Sequence, residues 1–363
     1  MSATTTMTLA KLDSPLCLLA HGAPKLLRLP VELLEIISTE LERPDLNLLA
    51  RTNKLLNVIS TRTLYRELTG LSQEQSIRAL RSFVYPSDVE EARKRALHVR
   101  TLHLDFSNCR VTANFLRLLQ RALQTLHSLK DLSLEFGLQD NHYSIAWCLK
   151  DCPFQLRIFT TSIRCDEDLA AFIEGQRKLE ELVLRGFQTT SPFTLSPDAL
   201  PKLSAFRTVH AGVPVLKEVM KGRPIEAVSL SLFQEDKFEP LDTLLLPQTQ
   251  IKRLTIMSLG DTPPDMLLPE IAARLPALEA LHIVVLMARY SYENLLASTP
   301  YLTAFSSLRY LTFMTGGGTE VIEDERRVVY TWAKACSTLR TIILPRGKVW
   351  FERDGRWTCC ASD

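Results

Sequence analysis

Apolar positions recur along most of the chain in one short pattern. An apolar residue is followed by two others, a second apolar residue, one other, and a third apolar residue. Ten segments carry this pattern at intervals of 22 to 31 residues: VRTLHL (99–104), LKDLSL (129–134), LRIFTT (156–161), LEELVL (179–184), LSAFRT (203–208), IEAVSL (225–230), IKRLTI (251–256), LEALHI (278–283), LRYLTF (308–313) and LRTIIL (339–344). The last two apolar positions of each copy are two residues apart, so they point to one face of a short strand.

The stretches between these strands carry helical patterns. In TANFLRLLQRALQTLHSL (112–129) the apolar residues stand at helical spacing: Phe115, Leu118, Leu119, Ala122 and Leu126. DEDLAAFIEGQRKL (166–179) opens with acids at an expected helix start and places Leu169, Phe172 and Ile173 on one face. A single strand and helix cannot bury their apolar sides alone. We therefore expect an α/β fold in which neighbouring copies stack.

Two other interpretations of the pattern stay open. Leucines could recur by chance, and the third and fifth copies are weak because Thr161 and Thr208 stand at an inward position. Strand–helix alternation also fits an open parallel α/β sheet, which usually carries a glycine-rich phosphate loop after an early strand. The cluster TGGGTE (315–320) follows the ninth copy and lacks the G-x-G-x-x-G spacing, so it is expected to be a flexible turn. The aromatic segments around Asp354-Gly355 predict a terminal hairpin.

A different pattern occupies the first part of the chain, in LRLPVELLEII (27–37). Pro30 suits the first turn of a helix, which would carry the apolar stripe Leu33, Ile36, Ile37 and Leu41. Asp45 is expected to cap a second helix from Leu46, and a third apolar helix follows. Three short helices form a very small core, so this segment carries more apolar surface than it can hide.

Composition and charge narrow the class of protein. A chain of 363 residues exceeds the size of one typical core, so more than one unit or a repeat array is expected. The net charge of +2 argues against a nucleic-acid or membrane-surface role. The eight cysteines show no C-x-x-C pair or other metal-ligand spacing, so we expect no metal, no cofactor and free thiols in a reducing compartment. No targeting segment stands out, and the predicted location is the cytoplasm, the nucleus or both.

The segment LPVELLEIISTELERPDLNLLARTNKLLNVISTRTLYREL (29–68) resembles an F-box. It carries the Leu-Pro-x-Glu-Leu start, the Pro-Asp-Leu before the second helix, and a closing aromatic in Leu64-Tyr65. The Val-Cys-x-x-Trp core of the third helix is absent, with RTNKLLNVIS in its place, as in fungal-type members. F-boxes followed by leucine-rich repeats are a known arrangement. The resemblance implies docking onto a Skp-type adaptor and, through it, a cullin–RING ubiquitin ligase.

The family's adaptor-contact positions map onto the start of the motif and its first two helices. They are Leu29, Pro30, Leu33, Ile36, Ile37, Leu41, Leu46 and Leu49. Some of them must hold the three helices together instead. For any single residue, adaptor contact and internal core remain equally open.

The outward positions of the strands predict where a target protein would bind. Acids fall in copies one to four, arginines in copies four to seven, and the last three copies are nearly uncharged. Aromatic, methionine and arginine side chains are enriched at protein interfaces. We therefore predict target-binding anchors at Arg207, Arg253, Met257, Tyr310 and Met314. The alternative is that this gradient is noise over a small number of residues.

These observations give a domain organisation and a function. We expect a disordered tail (1–26), an F-box (27–68), a helical linker or N-terminal cap (69–98), a curved solenoid of about ten degenerate leucine-rich repeats (99–345) and a C-terminal hairpin cap (346–363). The predicted function is a substrate-recruiting, non-catalytic subunit of a Skp–cullin–F-box ubiquitin ligase with an unknown protein substrate. A scaffold outside ubiquitination and, more remotely, an α/β enzyme are the alternatives. No catalytic signature surrounds the seven scattered histidines.

Overall fold

The computed structural model describes residues 26, 29–85, 88–233, 238–258, 260, 262–286, 291–315, 322–345 and 347–360. The predicted tail lies outside these residues except for Leu26, and the glycine cluster lies outside them except for Thr315. The chain divides into two compact units, Met1–Arg66 and Glu67–Asp363.

The described residues of the first unit form three helices: α1 (Val31–Thr39), α2 (Arg43–Ala50) and α3 (Lys54–Arg66). The start of α2 differs from the predicted one. It begins at Arg43 with Pro44 in its first turn, where the missing N–H of proline costs no hydrogen bond. Asp45 therefore lies inside the first turn and is not the N-cap.

A small apolar cluster joins α1 to α3. Leu34, Leu56 and Ile59 are buried together, and Leu49 and Leu55 pack against them partly exposed. The core of this unit is thus as small as its length implies.

Within its described segments, the second unit is built on one sheet of thirteen strands in sequential order. The strands are β1 (Glu67–Leu68), β2 (Thr101–Phe106), β3 (Asp131–Phe136), β4 (Ile158–Thr161), β5 (Glu181–Leu184), β6 (Ala205–Thr208), β7 (Ala227–Leu232), β8 (Arg253–Ser258), β9 (Ala280–Val285), β10 (Tyr310–Thr315), β11 (Thr341–Ile343), β12 (Val349–Arg353) and β13 (Arg356–Cys360). β1 to β11 pair in parallel, and β12 and β13 add an antiparallel hairpin. Each of the ten sequence segments overlaps one of the strands β2 to β11.

Helices and 3₁₀ turns connect the strands. The helices are α4 (Gln73–Val84), α5 (Val89–His98), α6 (Ala113–Leu123), α7 (Glu167–Glu174), α8 (Val213–Met220), α9 (Glu239–Asp242), α10 (Pro264–Arg274), α11 (Tyr292–Ala297), α12 (Thr299–Leu302) and α13 (Ile322–Ala335). The start of α6 is fixed by Thr112, whose hydroxyl accepts from the Phe115 N–H, and that of α7 by Asp166, whose carboxylate accepts from the Leu169 N–H. None of the helices within the described ranges is long and apolar enough to cross a membrane.

The core lies between the helices and one face of the sheet. Alternate strand residues such as Leu132, Leu134 and Phe136 are buried there. Thr161 and Thr208 also point inward and are buried. Their hydroxyls accept hydrogen bonds from backbone N–H groups of Ile163 and Ala211, which lie just beyond the strands. These threonines therefore turn the chain out of the strand without leaving a polar group unpaired.

The strands follow one another across the sheet in chain order. In a doubly wound sheet the order of strands reverses at one point. Here each strand pairs with its sequence neighbours from β1 to β13. The fold is α/β with a mostly parallel sheet, in a sequential order that is compatible with a solenoid.

The C-terminal hairpin follows the last parallel strand. Asp354 and Gly355 form its turn with positive φ angles of 52° and 77°, as a two-residue hairpin turn requires. Trp350 on β12 is fully buried beside Ile342 of β11. Phe351 and Trp357 are only partly buried.

Candidate protein-interaction surfaces

Helix α1 carries two apolar sides. Leu34 faces the core of the first unit. On another side, Leu33, Ile36 and Ile37 are 45%, 59% and 39% exposed, and Leu29 just before the helix is also exposed. Leu33, Ile36 and Ile37 have the spacing i, i+3 and i+4, so they share one side of the helix. Together with Leu29, which precedes the helix, we call them the α1 stripe. Burying one such side chain contributes about 1.5–3 kcal/mol, so a partner that covers the stripe gains substantially.

On other sides of α1, one ion pair connects the helix to α3 and one serine hydroxyl forms a hydrogen bond within the helix. Glu35 forms an ion pair with Arg62 of α3 at 2.8 Å. The Ser38 hydroxyl donates to the Leu34 carbonyl at 2.8 Å and is buried. Neither contact uses a residue of the α1 stripe, so the stripe is not part of the scaffold that fixes α1 to α3.

The remaining predicted adaptor-contact residues lie in different environments. Pro30 is exposed, Leu41 and Leu49 are partly buried, and Leu46 is buried. Leu49 also packs against the Leu34 cluster. Leu46 therefore has little surface to offer a partner. The prediction omitted Leu48 of α2 and Val58 of α3, which are both strongly exposed; their apolar type was visible in the sequence, but their direction was not.

In the second unit, the sheet face opposite the core carries mostly polar side chains; we call it the open face. The parallel register aligns them in rows. One row contains Thr101, Asp131, Ile158, Glu181, Ala205, Ala227, Arg253, Ala280 and Tyr310, and the next contains His103, Ser133, Thr160, Val183, Arg207, Ser229, Thr255, His282 and Thr312. Because sheet neighbours lie about 4.8 Å apart, adjacent members of a row are in contact distance.

Among the described residues of the open face, two ion pairs and one histidine–carboxylate contact engage charged side chains. His103 Nε2 lies 3.1 Å from an Asp131 oxygen. The Arg185 guanidinium lies 3.1 Å from Glu135. Arg207 Nε lies 3.2 Å from Glu181. Burial raises the pKa of Glu135, and the charge of Arg185 offsets part of that rise.

The five predicted target anchors all lie on the open face, but they differ in exposure and in ion pairing. Arg207 is already paired with Glu181. Within the described ranges no carboxylate pairs with Arg253, and its guanidinium makes no hydrogen bond. Met257 is half-buried, while Tyr310 and Met314 are exposed. The register aligns Arg253 with Tyr310 across Ala280, and Met257 with Met314 across Val284.

A column of rings follows three neighbouring strands. Phe187 stacks on His210 with ring centroids 4.4 Å apart and an interplanar angle of 13°. His210 lies 6.0 Å from Phe233. The sequence prediction did not include these residues. The available signal was an aromatic or imidazole ring seven or eight positions after the start of three successive copies.

Metal-ligand clusters and reactive thiols are common signs of a catalytic site. The described residues contain no group of three or more histidine, cysteine or acidic side chains that could hold a metal ion. A cavity of about 580 Å³ beside α7 is lined by Trp147, Cys152 and Phe172, but burial raises the pKa of Cys152 to about 12. This thiol is therefore protonated at neutral pH and is a poor nucleophile. Comparison of the chain with protein-family models and with curated proteins found no match.

Proposed function

We propose that this protein is a substrate-recruiting subunit of a Skp–cullin–F-box ubiquitin ligase. In this proposal the first unit is a fungal-type F-box that docks onto a Skp-type adaptor. The second unit is a leucine-rich-repeat array that captures a protein target on its open face. The protein itself is not an enzyme, because ubiquitin transfer takes place on other subunits, and it acts by raising the effective concentration of the target.

The observation that carries the proposal is the α1 stripe. Leu29, Leu33, Ile36 and Ile37 coincide with positions that the F-box resemblance assigns to adaptor contact, and all four are exposed. Contiguous exposed apolar surface marks interaction sites. An adaptor that covers this stripe completes a unit whose own core is small.

The sequential parallel sheet supports the second half of the proposal. A leucine-rich-repeat array predicts strands in chain order, apolar residues on the core side and variable side chains on the other. The open face carries varied, mostly polar side chains, as expected for the side away from the core. A cytoplasmic or nuclear location follows from the proposed ligase partners.

Co-expression with a Skp-type adaptor tests the proposal. We expect the wild-type chain to co-purify with the adaptor and the Leu33→Asp/Ile36→Asp variant to lose it, because a carboxylate cannot be buried in an apolar contact without a partner. A matched control is Val89→Asp/Leu97→Asp on α5, where both residues are exposed. The control should retain the adaptor.

Two outcomes contradict the proposal. If both double variants co-purify with equal amounts of adaptor, the α1 stripe is not part of the contact. If the wild-type chain does not co-purify with the adaptor, the F-box assignment is wrong. If the adaptor binds, a second measurement distinguishes a ligase subunit from a scaffold. It is the amount of the captured target protein after the cullin is inhibited. A ligase subunit predicts that the target accumulates, and a scaffold predicts no change.

A further inference from the structure

The middle of the open face contains a cavity of about 380 Å³. We call it the alanine cavity. Its lining includes Glu181, Ala205, Arg207, Ala227, Ser229 and Arg253. Ala205 and Ala227 lie side by side in the sheet register, between Glu181 on β5 and Arg253 on β8. Their side chains end at Cβ, so they form a floor beneath the longer side chains on each side.

The two walls of the alanine cavity differ in charge. On one wall, Glu181 and Arg207 neutralise each other at 3.2 Å. On the other wall, Arg253 is exposed and pairs with no carboxylate of the described residues. The formal charge of the lining is therefore one unit positive. Three strand spacings of about 4.8 Å separate the backbones of β5 and β8, which are therefore about 14 Å apart, and only the short side chains of Ala205 and Ala227 lie between Glu181 and Arg253 in that row.

The rest of the lining adds hydrogen-bonding groups near Arg253. Ser229 and Thr255 lie in the next row of the register and present hydroxyl groups. His282 also reaches the cavity, and its Nδ1 lies 2.8 Å from the Thr312 hydroxyl. Burial lowers the pKa of His282, so it is neutral at pH 7 and adds no second positive charge.

We propose that the alanine cavity binds an acidic side chain, an aspartate or glutamate carboxylate, of an extended segment of the recruited protein. This inference rests on the proposed role of the open face in target capture and names the chemistry of that target. The guanidinium of Arg253, which pairs with no carboxylate in the described part of the chain, matches one carboxylate, because arginine presents two parallel N–H donors to it. The Ser229 and Thr255 hydroxyls supply further donors to the same group.

The charge balance favours a carboxylate over a phosphate. A phosphoserine carries a charge of about −1.5 to −2 at neutral pH and three acceptor oxygens, and it is usually met by a cluster of arginines. Here Arg207 is occupied by Glu181, which would also repel a doubly charged group. One free arginine with two hydroxyls therefore fits a singly charged ligand.

Binding of labelled peptides to the full chain tests this inference. The probes are fluorescent peptides of five Gly-Glu, Gly-Gln, Gly-phosphoserine or Gly-Lys repeats, titrated by fluorescence anisotropy. We expect the Gly-Glu peptide to bind most tightly. Arg253→Gln should raise its Kd about tenfold, as the loss of one charge-assisted hydrogen-bonding group implies. Arg327→Gln, a matched change at an exposed arginine of α13, should leave the Kd unchanged.

Several results would overturn the inference. Equal binding of the Gly-Glu and Gly-Gln peptides excludes charge recognition, and a stronger Gly-phosphoserine complex assigns the cavity to phosphate. Equal weakening by Arg253→Gln and Arg327→Gln shows a diffuse charge effect with no specific cavity. No adaptor is present in this titration, so peptide binding does not depend on adaptor docking. A failure of the peptide to bind would therefore be distinguishable from a failure of the adaptor to bind.

Discussion

Arg223 illustrates how one residue fixes local structure in the second unit. Its buried guanidinium donates to the carbonyl oxygens of Ser196, Ala199, Glu218 and Lys221 at 2.6 to 3.1 Å. The last two belong to the C-terminal end of α8 and the residue after it, where carbonyl groups lack helical partners. Burial lowers the pKa of Arg223, and the four acceptors compensate for the loss of water.

Replacing Arg223 should therefore be costly. Arg223→Met leaves buried carbonyl groups without donors, and we expect a loss of about 3 kcal/mol in the free energy of unfolding, measured with urea. Arg177→Met, at an exposed arginine after α7, serves as the control and should change it by less than about 0.5 kcal/mol. Equal losses in the two variants would contradict this account of Arg223.

Gly186 occupies a place where two backbone segments nearly touch. A Cβ atom built on Gly186 would lie 1.8 Å from the Ile163 carbonyl oxygen. Gly186→Ala must push these segments apart, and we expect destabilisation of about 2–3 kcal/mol in thermal or urea unfolding. Gly175→Ala is the comparison, because its Cβ would meet the nearest atom at 3.4 Å. A Gly186→Ala variant as stable as Gly175→Ala would refute the close approach.

The burial of His210 predicts how the stability of the fold depends on pH. Burial lowers its pKa below the ordinary value, so the folded state binds fewer protons than the unfolded state. Stability should therefore fall as the pH drops below about 6.5, where the unfolded histidine takes up a proton. His210→Phe keeps a ring between Phe187 and Phe233, and urea unfolding at pH 7.5 and 5.5 should show a smaller loss.

His142→Phe provides the control for this pH effect, since His142 is exposed. It should lose as much stability on acidification as the wild type does. His282, whose pKa burial also lowers, retains part of the pH dependence in every variant. An unchanged pH dependence in His210→Phe would contradict the assignment.

At the scale of elements, strands were easier to predict than helix faces. In β3 the apolar residues alternate with Asp131, Ser133 and Glu135, so only one assignment of faces buries the leucines. In α1, apolar residues occupy more than one side, and periodicity alone cannot choose between Leu33 and Leu34 as the core residue. The packing against α3 chooses Leu34.

The start of α2 shows a second limit of sequence reasoning. Asp45 is a good capping residue, which favoured a helix start at Leu46. Pro44 is equally good in a first turn, and the helix begins at Arg43. The local signals are compatible with both starts. The Arg207–Glu181 pair depends on a contact between distant segments, which no local pattern reveals. For the ring column, the sequence offered only the common position of the three rings after successive copies.

The terminal hairpin gives a prediction at the element scale. Trp350 is 1% exposed and lies beside Ile342, so β12 covers the side of β11 that has no further parallel strand. Trp350→Ala should lower the free energy of unfolding by about 3–5 kcal/mol through the cavity it leaves. Trp357→Ala is the control, because Trp357 of β13 is only half-buried. It should lower the free energy of unfolding by clearly less. Equal effects would mean that β12 does not seal this end of the core.

At the scale of the whole molecule, the two units present different surfaces. The first unit has a small core and an exposed apolar stripe, while the second has a continuous sheet with a charged and polar open face. The α/β class and the strand positions were predictable because stacking copies must repeat the same alternation. The chemistry of the open face was only partly predictable. Arg207 and Arg253 were equivalent in the sequence, and the contact with Glu181 distinguishes them.

The central claim is that the α1 stripe docks onto a Skp-type adaptor. Isothermal titration calorimetry of the purified full chain with the purified adaptor, at several temperatures, tests it most directly. We predict a 1:1 complex with a negative heat-capacity change, since apolar surface is buried, and a loss of binding in Leu33→Asp/Ile36→Asp but not in Val89→Asp/Leu97→Asp. The absence of binding by the wild type, or unchanged affinity of the Leu33→Asp/Ile36→Asp variant, would contradict the claim.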